Sequence, residues 1–152
     1  MDITQAFLYL AQSLDNPYSF FAIIGIAIYF TEPRWDKRGK IVLALLIAGA
    51  LALVAKSIIM EPRPCLSSDS MIPCPLDYSM PSGHAAIAFT LLIAFIGRRS
   101  FPLYWVFALL VAYTRFYLGV HTFEDLAAAL VLAPIAYQFS DLIWGAIVER
   151  RK

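Results

Sequence analysis

Five long runs with few or no charged side chains limit most strongly how this chain can fold. A helix needs roughly 20 apolar residues to cross the hydrocarbon core of a bilayer, and the shorter runs reach that length only by including charged residues at one end. The pattern predicts five transmembrane helices. They are Asn16–Thr31, Lys40–Met60, Ser82–Gly97, Ser100–Gly119 and Thr122–Val148.

The composition supports a membrane protein and excludes several other classes. Of the 152 residues, 61% are hydrophobic and only 15% are charged. The mean hydropathy is +0.70. A soluble domain of this size has too little interior to bury so much apolar surface, and a disordered chain would carry more charge. The net charge of +1 gives no reason to expect a nucleic acid partner.

A different kind of helix is predicted before the first span. Within residues 2–15 apolar side chains recur at helical spacing, which is typical of an amphipathic helix at a membrane surface. They are Ile3, Ala6, Phe7, Leu10 and Leu14. Asn16-Pro17 ends this helix, and no basic segment precedes the first apolar run, which argues against a secretory signal peptide. The predicted fold is all-α: a polytopic membrane helix bundle of about five transmembrane helices plus an N-terminal interfacial helix, forming a single domain over residues 1–152.

The basic residues predict the orientation of this bundle. Nine of the 12 Lys and Arg residues lie on one side of a five-span topology, and the positive-inside bias makes that side cytoplasmic. We therefore expect a multi-pass protein of the cell membrane with a cytoplasmic C-terminus and with the loop of residues 61–81 outside. The nine residues are Arg34, Lys37, Arg38, Lys40, Arg98, Arg99, Arg150, Arg151 and Lys152.

The outer loop carries both cysteines, Cys65 and Cys74, and five of the nine prolines. An oxidising exterior permits a disulfide between them, and two free thiols are the alternative. No histidine lies near either cysteine, so a zinc site is not expected there.

Four of the predicted spans carry an ionisable residue at about the same depth in the membrane. Counted from the cytoplasmic helix ends, Lys56, His84, Arg115 and Asp125 each rise roughly 21 to 24 Å. Ionisable groups at such a depth are costly unless they face one another or an aqueous cavity, so they are candidates for a functional site.

The residue types at this level predict an anion site. Lys56, Arg63 and Arg115 supply three cations, and no cluster of carboxylates or thiolates accompanies them to hold a metal. Three converging cations suit a dianion such as phosphate. Ser82 resembles an N-cap and Gly83 allows close approach of the backbone, so amides at a helix start could face the same anion.

The two histidines of the chain suit phosphoryl transfer through a covalent step. His121 lies four residues before Asp125, and a carboxylate on one ring nitrogen leaves the other free to act as the nucleophile. His84 then remains as the acid that protonates the leaving group and as the base that activates water.

Three motifs in order carry a resemblance to a known family. Lys56-x6-Arg63-Pro64, Pro81-Ser82-Gly83-His84 and Arg115-x5-His121-x3-Asp125 resemble the signature of the type 2 phosphatidic acid phosphatase superfamily. The resemblance implies a metal-independent, cofactor-free hydrolase with a phosphohistidine intermediate. It implies His121 as nucleophile, Asp125 as its orienter and His84 as general acid. The implied phosphate ligands are Lys56, Arg63, Ser82, Gly83 and Arg115.

Two departures from the family pattern concern positioning and substrate entry. The third motif opens with Thr114-Arg115 where the family usually has Ser-Arg, and five spans are counted where membrane members commonly have six.

The function predicted from these residues is an integral membrane lipid phosphatase with its active site at the extracytoplasmic face. Its partners would be the bilayer and a membrane lipid substrate, with polyprenyl or undecaprenyl diphosphate favoured by analogy and phosphatidate or phosphatidylglycerophosphate compatible. The alternatives are a lipid phosphotransferase with the same site and a non-catalytic phospholipid binder or transporter. A vanadium haloperoxidase or a purely structural subunit fits the chain less well.

Overall fold

A computed structural model describes residues 2–150, and it is helical throughout its regular structure. Arg151 and Lys152, which the sequence places among the cytoplasmic charges, lie outside the described residues. Between residues 2 and 150 there is no strand, so the predicted all-α class is confirmed. The helices are α1 (Ile3–Asp15), α2 (Pro17–Thr31), α3 (Trp35–Ile59), α4 (Gly83–Ala94), α5 (Phe101–Tyr117) and α6 (Phe123–Glu149), with a short 3-10 turn at Pro64–Leu66.

Two of these helices are long and apolar enough to cross a bilayer by themselves. They are α3, with 25 residues, and α6, with 27 residues. α2 and α4 are shorter apolar helices, and α5 has 17 residues. These lengths and hydropathies agree with a membrane protein, and the count of five spans stays a prediction.

The break between α1 and α2 is fixed by local chemistry. The side chain of Asn16 accepts hydrogen bonds from the backbone amides of Tyr18 at 3.0 Å and Ser19 at 3.3 Å. Pro17 stands at the first position of α2, where its missing amide hydrogen costs nothing. α1 therefore ends at Asp15, as the sequence predicts.

α4 lies at the centre of the bundle. It packs against α3, α5 and α6, and α3 also packs against α6. α1 packs against α2 and α5, whereas α2 and α3 do not form a close pair. Small residues of α4 such as Ala85, Ala86 and Ala88 are fully buried, because the three neighbouring helices approach its backbone closely.

The loop between α3 and α4 is folded over one end of the bundle. A disulfide joins Cys65 and Cys74, whose Cα atoms are 5.7 Å apart. The amide of Ser79 donates to the carbonyl of Glu61 at 2.8 Å, and the amide of Met71 donates to the carbonyl of Leu118 at 3.1 Å. These contacts fix the loop against the ends of α3 and α5.

The opposite end carries a buried acid among the basic residues. Glu32 is fully buried and forms ion pairs with Arg98 and Arg34. Burial acts to raise the pKa of Glu32, but hydrogen bonds from Arg34 and Arg98 outweigh burial and lower this pKa below its ordinary value. Arg34 and Arg98, two of the basic residues at this end, therefore also form contacts that connect the ends of helices.

Candidate active site

The start of α6 positions the first two site residues. Thr122 is the N-cap, and its side chain accepts a hydrogen bond from the amide of Asp125 at 3.4 Å. In return the Asp125 carboxylate accepts from the amide of Thr122 at 2.8 Å. This reciprocal capping box places the carboxylate at the helix start, directly beside His121.

His121 precedes α6, so it does not share a helical face with Asp125 by i,i+4 spacing within that helix. α5 ends near Leu118, and Gly119 has a φ of +73°, a left-handed conformation that glycine adopts without strain. This turn leads the chain through Val120 into His121, which is buried.

The two ring nitrogens of His121 have different partners. Nδ1 lies 3.1 Å from Asp125 Oδ2, and Nε2 lies 3.2 Å from Arg63 Nη1. A guanidinium group can only donate, so Nε2 is the unprotonated nitrogen of the neutral ring and Nδ1–H faces the carboxylate. The lone pair of Nε2 is therefore the one available for bond formation.

The sequence did not single out Ser79, which completes this arrangement. Its hydroxyl donates to Asp125 Oδ2 and lies 3.3 Å from His121 Nδ1. Ser79 is fully buried. Its only sequence signal is its place two residues before Pro81, in the approach to α4.

Lys56 and Arg63 meet at a single carboxylate that the sequence also did not single out. Asp77 Oδ2 lies 2.8 Å from Lys56 Nζ, and Asp77 Oδ1 lies 2.6 Å from Arg63 Nη2. Arg63 also donates to the carbonyls of Asp77 at 2.9 Å and Val120 at 3.0 Å. Lys56 donates to the carbonyl of Tyr78. The two predicted phosphate ligands therefore hold an anion that the chain itself supplies.

The two cationic neighbours of Asp77 keep its carboxylate charged. Burial acts to raise the pKa of Asp77, but hydrogen bonds from Lys56 and Arg63 outweigh it, so this pKa falls below its ordinary value. Asp77 is an anion at neutral pH, and its side chain is 49% exposed. It occupies the space between the two cations while remaining open to solvent.

Arg115 lies on α5 and is held by α1 instead of by the groups around Asp77. Its Nη1 lies 2.5 Å from Asp15 Oδ1, and its Nη2 lies 3.4 Å from the carbonyl of Ala11. The expectation that three cations would converge on one empty anion site is therefore met only in part, because Arg115 has a carboxylate partner of its own.

Ser82, Gly83 and His84 begin α4 beside a cavity. Gly83 and His84 line it together with Lys56, and its volume is about 230 Å³. A Cβ added to Gly83 would meet no atom within 4 Å. The His84 ring contacts the ring of Phe20, with centroids 4.7 Å apart.

Ser82 is the N-cap of α4 by backbone position, but its hydroxyl makes no capping bond. The N-cap position expected from the sequence is therefore confirmed, and the hydroxyl is left free of the helix backbone. The fully buried hydroxyl oxygen has no hydrogen-bond partner.

Unpartnered buried polar atoms mark the same region. Among residues 2–150 the buried side-chain atoms without a partner are Ser82 Oγ, Arg115 Nε and Asp125 Oδ1. Such atoms are rare in native proteins because each costs free energy. All three belong to residues that the motifs predict as site residues, which is the pattern expected where a ligand completes the hydrogen bonds.

The arrangement suits a neutral nucleophile next to fixed cations. Burial lowers the pKa of His121, Arg63 and Lys56 lower it further, and Asp125 acts in the opposite direction, with a net lowering. His121 is therefore neutral at pH 7 and can attack an electrophilic centre through Nε2. Within residues 2–150 no group of three His, Cys, Asp or Glu side chains could hold a metal ion.

The sequence of this chain is similar to those of known proteins. The sequence model of the PAP2 superfamily matches residues 37–148. The chain is 33% identical over 136 residues to undecaprenyl-diphosphatase BcrC of Bacillus subtilis, an alignment that covers 81% of this chain and 69% of that protein. It is 29% identical over 152 residues to human sphingosine-1-phosphate phosphatase 2, with coverage of 86% and 38%. The chain thus spans little more than a third of the length of that relative.

Solved structures share the fold. The crystal structure of Aquifex aeolicus LpxE superposes with a TM-score of 0.67 at 24% identity, over 90% of this chain and 81% of that one. A transmembrane PAP2-type phosphatidylglycerolphosphate phosphatase from Bacillus subtilis gives 0.64 at 20% identity, over 99% and 77%. At these identities the likeness concerns the arrangement of helices.

Proposed function

Because the chain belongs to the PAP2 superfamily, we propose that it is a membrane lipid phosphatase that works through a phosphohistidine intermediate. The observation that carries this proposal is the placement of His121, with Nδ1 at 3.1 Å from Asp125 and Nε2 at 3.2 Å from Arg63. An imidazole fixed in this tautomer next to a cation can attack a phosphorus atom that the same cation binds.

In the first half of the reaction, His121 Nε2 forms a bond to phosphorus and the bond from phosphorus to the leaving oxygen breaks. Lys56 and Arg63 bind the equatorial oxygens, and their charge stabilises the transition state. His84 gives a proton to the leaving oxygen. Asp125 stabilises the positive charge that develops on the imidazole, because its carboxylate faces Nδ1–H.

In the second half, water attacks the phosphorus of phosphohistidine. His84, now deprotonated, takes a proton from this water, and the bond from phosphorus to Nε2 breaks. The products are inorganic phosphate and free His121. The Ser82 hydroxyl, the Gly83 amide and Arg115 would supply further hydrogen bonds to the phosphate in both halves.

A lipid substrate is supported by the surroundings of the site. The cavity beside His84 shares Phe21, Gly49, Leu53 and Ile87 with a second cavity of about 480 Å³ between α2 and α3. We call the two together the α2–α3 groove. It is almost wholly apolar and runs from Lys56 towards Val42 near the other end of α3, so it would hold a hydrocarbon chain whose phosphate lies at His121.

A polyprenyl diphosphate is the favoured substrate within this class. Undecaprenyl-diphosphatase BcrC matches over 69% of its own length, more than the human sphingosine-1-phosphate phosphatase does at 38%. The other candidate substrates are phosphatidate, phosphatidylglycerophosphate and a single-chain lipid phosphate. All of them are compared with the diphosphate in the assay described next.

The test is release of inorganic phosphate by detergent-purified protein in the presence of EDTA. We expect release from undecaprenyl diphosphate at the highest kcat/KM of the panel, and none from His121→Ala. Full activity of His121→Ala would contradict the phosphohistidine route. A folded wild-type protein that binds these lipids without releasing phosphate would favour the phosphotransferase or the non-catalytic binder.

The proposed localisation is the cell membrane with the site on the extracytoplasmic side. Leu76 is fully exposed in the outer loop and Ile96 is exposed at the other end of the bundle. We expect a membrane-impermeant maleimide to label Leu76→Cys in intact cells and to leave Ile96→Cys unlabelled. The reverse pattern would place the site in the cytoplasm.

A further inference from the structure

The burial of Arg115 requires partners, and among residues 2–150 α1 supplies them. The Arg115 side chain is about 2% exposed. A buried guanidinium without partners would strongly destabilise the folded protein. The hydrogen bonds it makes go to Asp15 Oδ1 at 2.5 Å and to the carbonyl of Ala11 at 3.4 Å.

The position of these partners at the end of α1 favours a cation. Asp15 is the last residue of α1, and the carbonyl end of a helix carries partial negative charge. The carboxylate and the helix end therefore attract the same guanidinium. α1 packs against α5, so the attraction acts between two helices that are already in contact.

These two contacts are made by the Nη groups of Arg115 and do not involve Nε. Nε is buried and has no hydrogen-bond partner. A donor of a buried guanidinium that the protein leaves unpaired is available to an anionic ligand, and a phosphate oxygen would satisfy it. Asp15 and Arg115 also lie within electrostatic range of His84, so the same carboxylate is near the proposed general acid.

We propose that Asp15 is a positioning residue of the active site, which holds Arg115 from the interfacial helix so that Arg115 can bind the substrate phosphate. This inference rests on the proposed phosphatase function. It adds a residue that lies in none of the three motifs and precedes the stretch of residues 37–148 matched by the family. The position of α1 at the membrane surface thereby helps to determine where Arg115 lies in the site.

The test compares Asp15→Asn with the wild type and with Asp2→Asn, whose side chain is exposed at the other end of α1. We expect Asp15→Asn to raise the KM for the lipid substrate and the dissociation constant of inorganic phosphate by about tenfold or more, which is the order of one lost hydrogen bond to a charged group. kcat should fall less than KM rises. Asp2→Asn should behave as the wild type.

A double variant separates positioning from simple structural support. If Asp15 acts through Arg115, then Asp15→Asn/Arg115→Gln should bind phosphate no more weakly than Arg115→Gln alone, because the guanidinium to be positioned is gone. Effects that multiply would overturn the inference. Wild-type phosphate affinity in folded Asp15→Asn would overturn it as well.

Two further measurements keep the inference falsifiable. Phosphate affinity is measured by calorimetry, so it decides the role of Asp15 even if the lipid panel shows no turnover and the phosphatase proposal fails. If Asp15→Asn does not fold, Asp15→Glu keeps the charge but displaces it by one methylene group. A weakened phosphate affinity in Asp15→Glu supports positioning, and an unchanged affinity contradicts it.

Discussion

At the scale of single residues, His121 is defined by what touches its two nitrogens. Arg63 faces Nε2 and Asp125 faces Nδ1, at 3.2 Å and 3.1 Å. The first contact disfavours a proton on Nε2 and the second favours one on Nδ1. The proposed nucleophile is therefore held in one tautomer before any substrate binds, which would remove a cost from the chemical step.

Replacing Asp125 by Asn tests this tautomer. We expect kcat to fall by about 10²- to 10⁴-fold, because the amide can donate to Nδ1 and place the proton on Nε2. His121 must be neutral to attack, and its pKa lies below the ordinary value of 6.5. In the wild type, the fall of kcat/KM on the acidic side of its pH profile should therefore occur below pH 6.5. Asp125 acts to raise the pKa of His121, so in Asp125→Asn this fall of kcat/KM should shift to a still lower pH. An unchanged rate and pH profile in the variant would contradict this role.

Asp77 provides a second test at this scale. Its carboxylate forms ion pairs with Lys56 Nζ and Arg63 Nη2. A substrate phosphate that binds the same two cations has to displace this carboxylate. Because the side chain is half exposed, the two pairs together are worth only about 1 kcal/mol. We expect Asp77→Asn to bind inorganic phosphate about fivefold more tightly, measured as a lower inhibition constant. Weaker inhibition by phosphate would mean that Asp77 helps to position the cations instead.

The site could be predicted from the sequence where residue chemistry and spacing were sufficient. His121, Asp125, Lys56 and Arg63 lie together as the charge pattern predicts. Asp15, Asp77 and Ser79 were missed, since a lone acid or serine in a polar segment has no distinguishing pattern. Ser79 reaches Asp125 across 46 positions of sequence, and only the fold of the outer loop brings the two together.

At the scale of elements, the helices could be predicted more completely than the site. Uncharged runs and the Asn16-Pro17 break mark their ends, because these features act locally. The start of α6 is a case where local chemistry matters for function: Thr122 caps the helix, so His121 lies outside it and can approach Asp125 from the loop. Within one helix the four-residue spacing would place the two side chains on the same face, which is a different geometry with the same pairing.

The outer loop depends on its disulfide. The bond between Cys65 and Cys74 closes a loop with a sequence separation of 9, and a crosslink of this length stabilises by about 2 to 3 kcal/mol. We expect Cys65→Ser to lower the unfolding temperature in detergent while kcat at 25 °C stays within about twofold. Cys65→Ser/Cys74→Ser should match the single variant. A folded Cys65→Ser protein without turnover would show that the disulfide holds Arg63 in its catalytic position.

At the scale of the whole molecule, the helices form two groups of unequal packing. α4 packs closely against α3, α5 and α6, whereas α2 packs against α1 and leaves the α2–α3 groove open. The groove begins at Lys56 and His84, so its polar end and the proposed chemistry coincide. A lipid with an apolar chain and a phosphate or diphosphate headgroup matches both ends of the groove.

Filling the groove should separate tail binding from phosphate chemistry. A Cβ at Gly49 would meet only Ile87, at 3.9 Å, so Gly49→Phe can fill the groove without a clash against backbone. We expect kcat/KM for undecaprenyl diphosphate to fall by about tenfold, which corresponds to about 1.4 kcal/mol of lost apolar contact. Hydrolysis of a short, water-soluble phosphate ester should change less than twofold. Gly145 on α6 also faces open space but lies outside the groove, so Gly145→Phe is the matched control and should leave both rates unchanged. Equal losses for the long and short substrates in Gly49→Phe would mean that the tail binds elsewhere, because a groove that only holds the tail cannot affect a substrate without one.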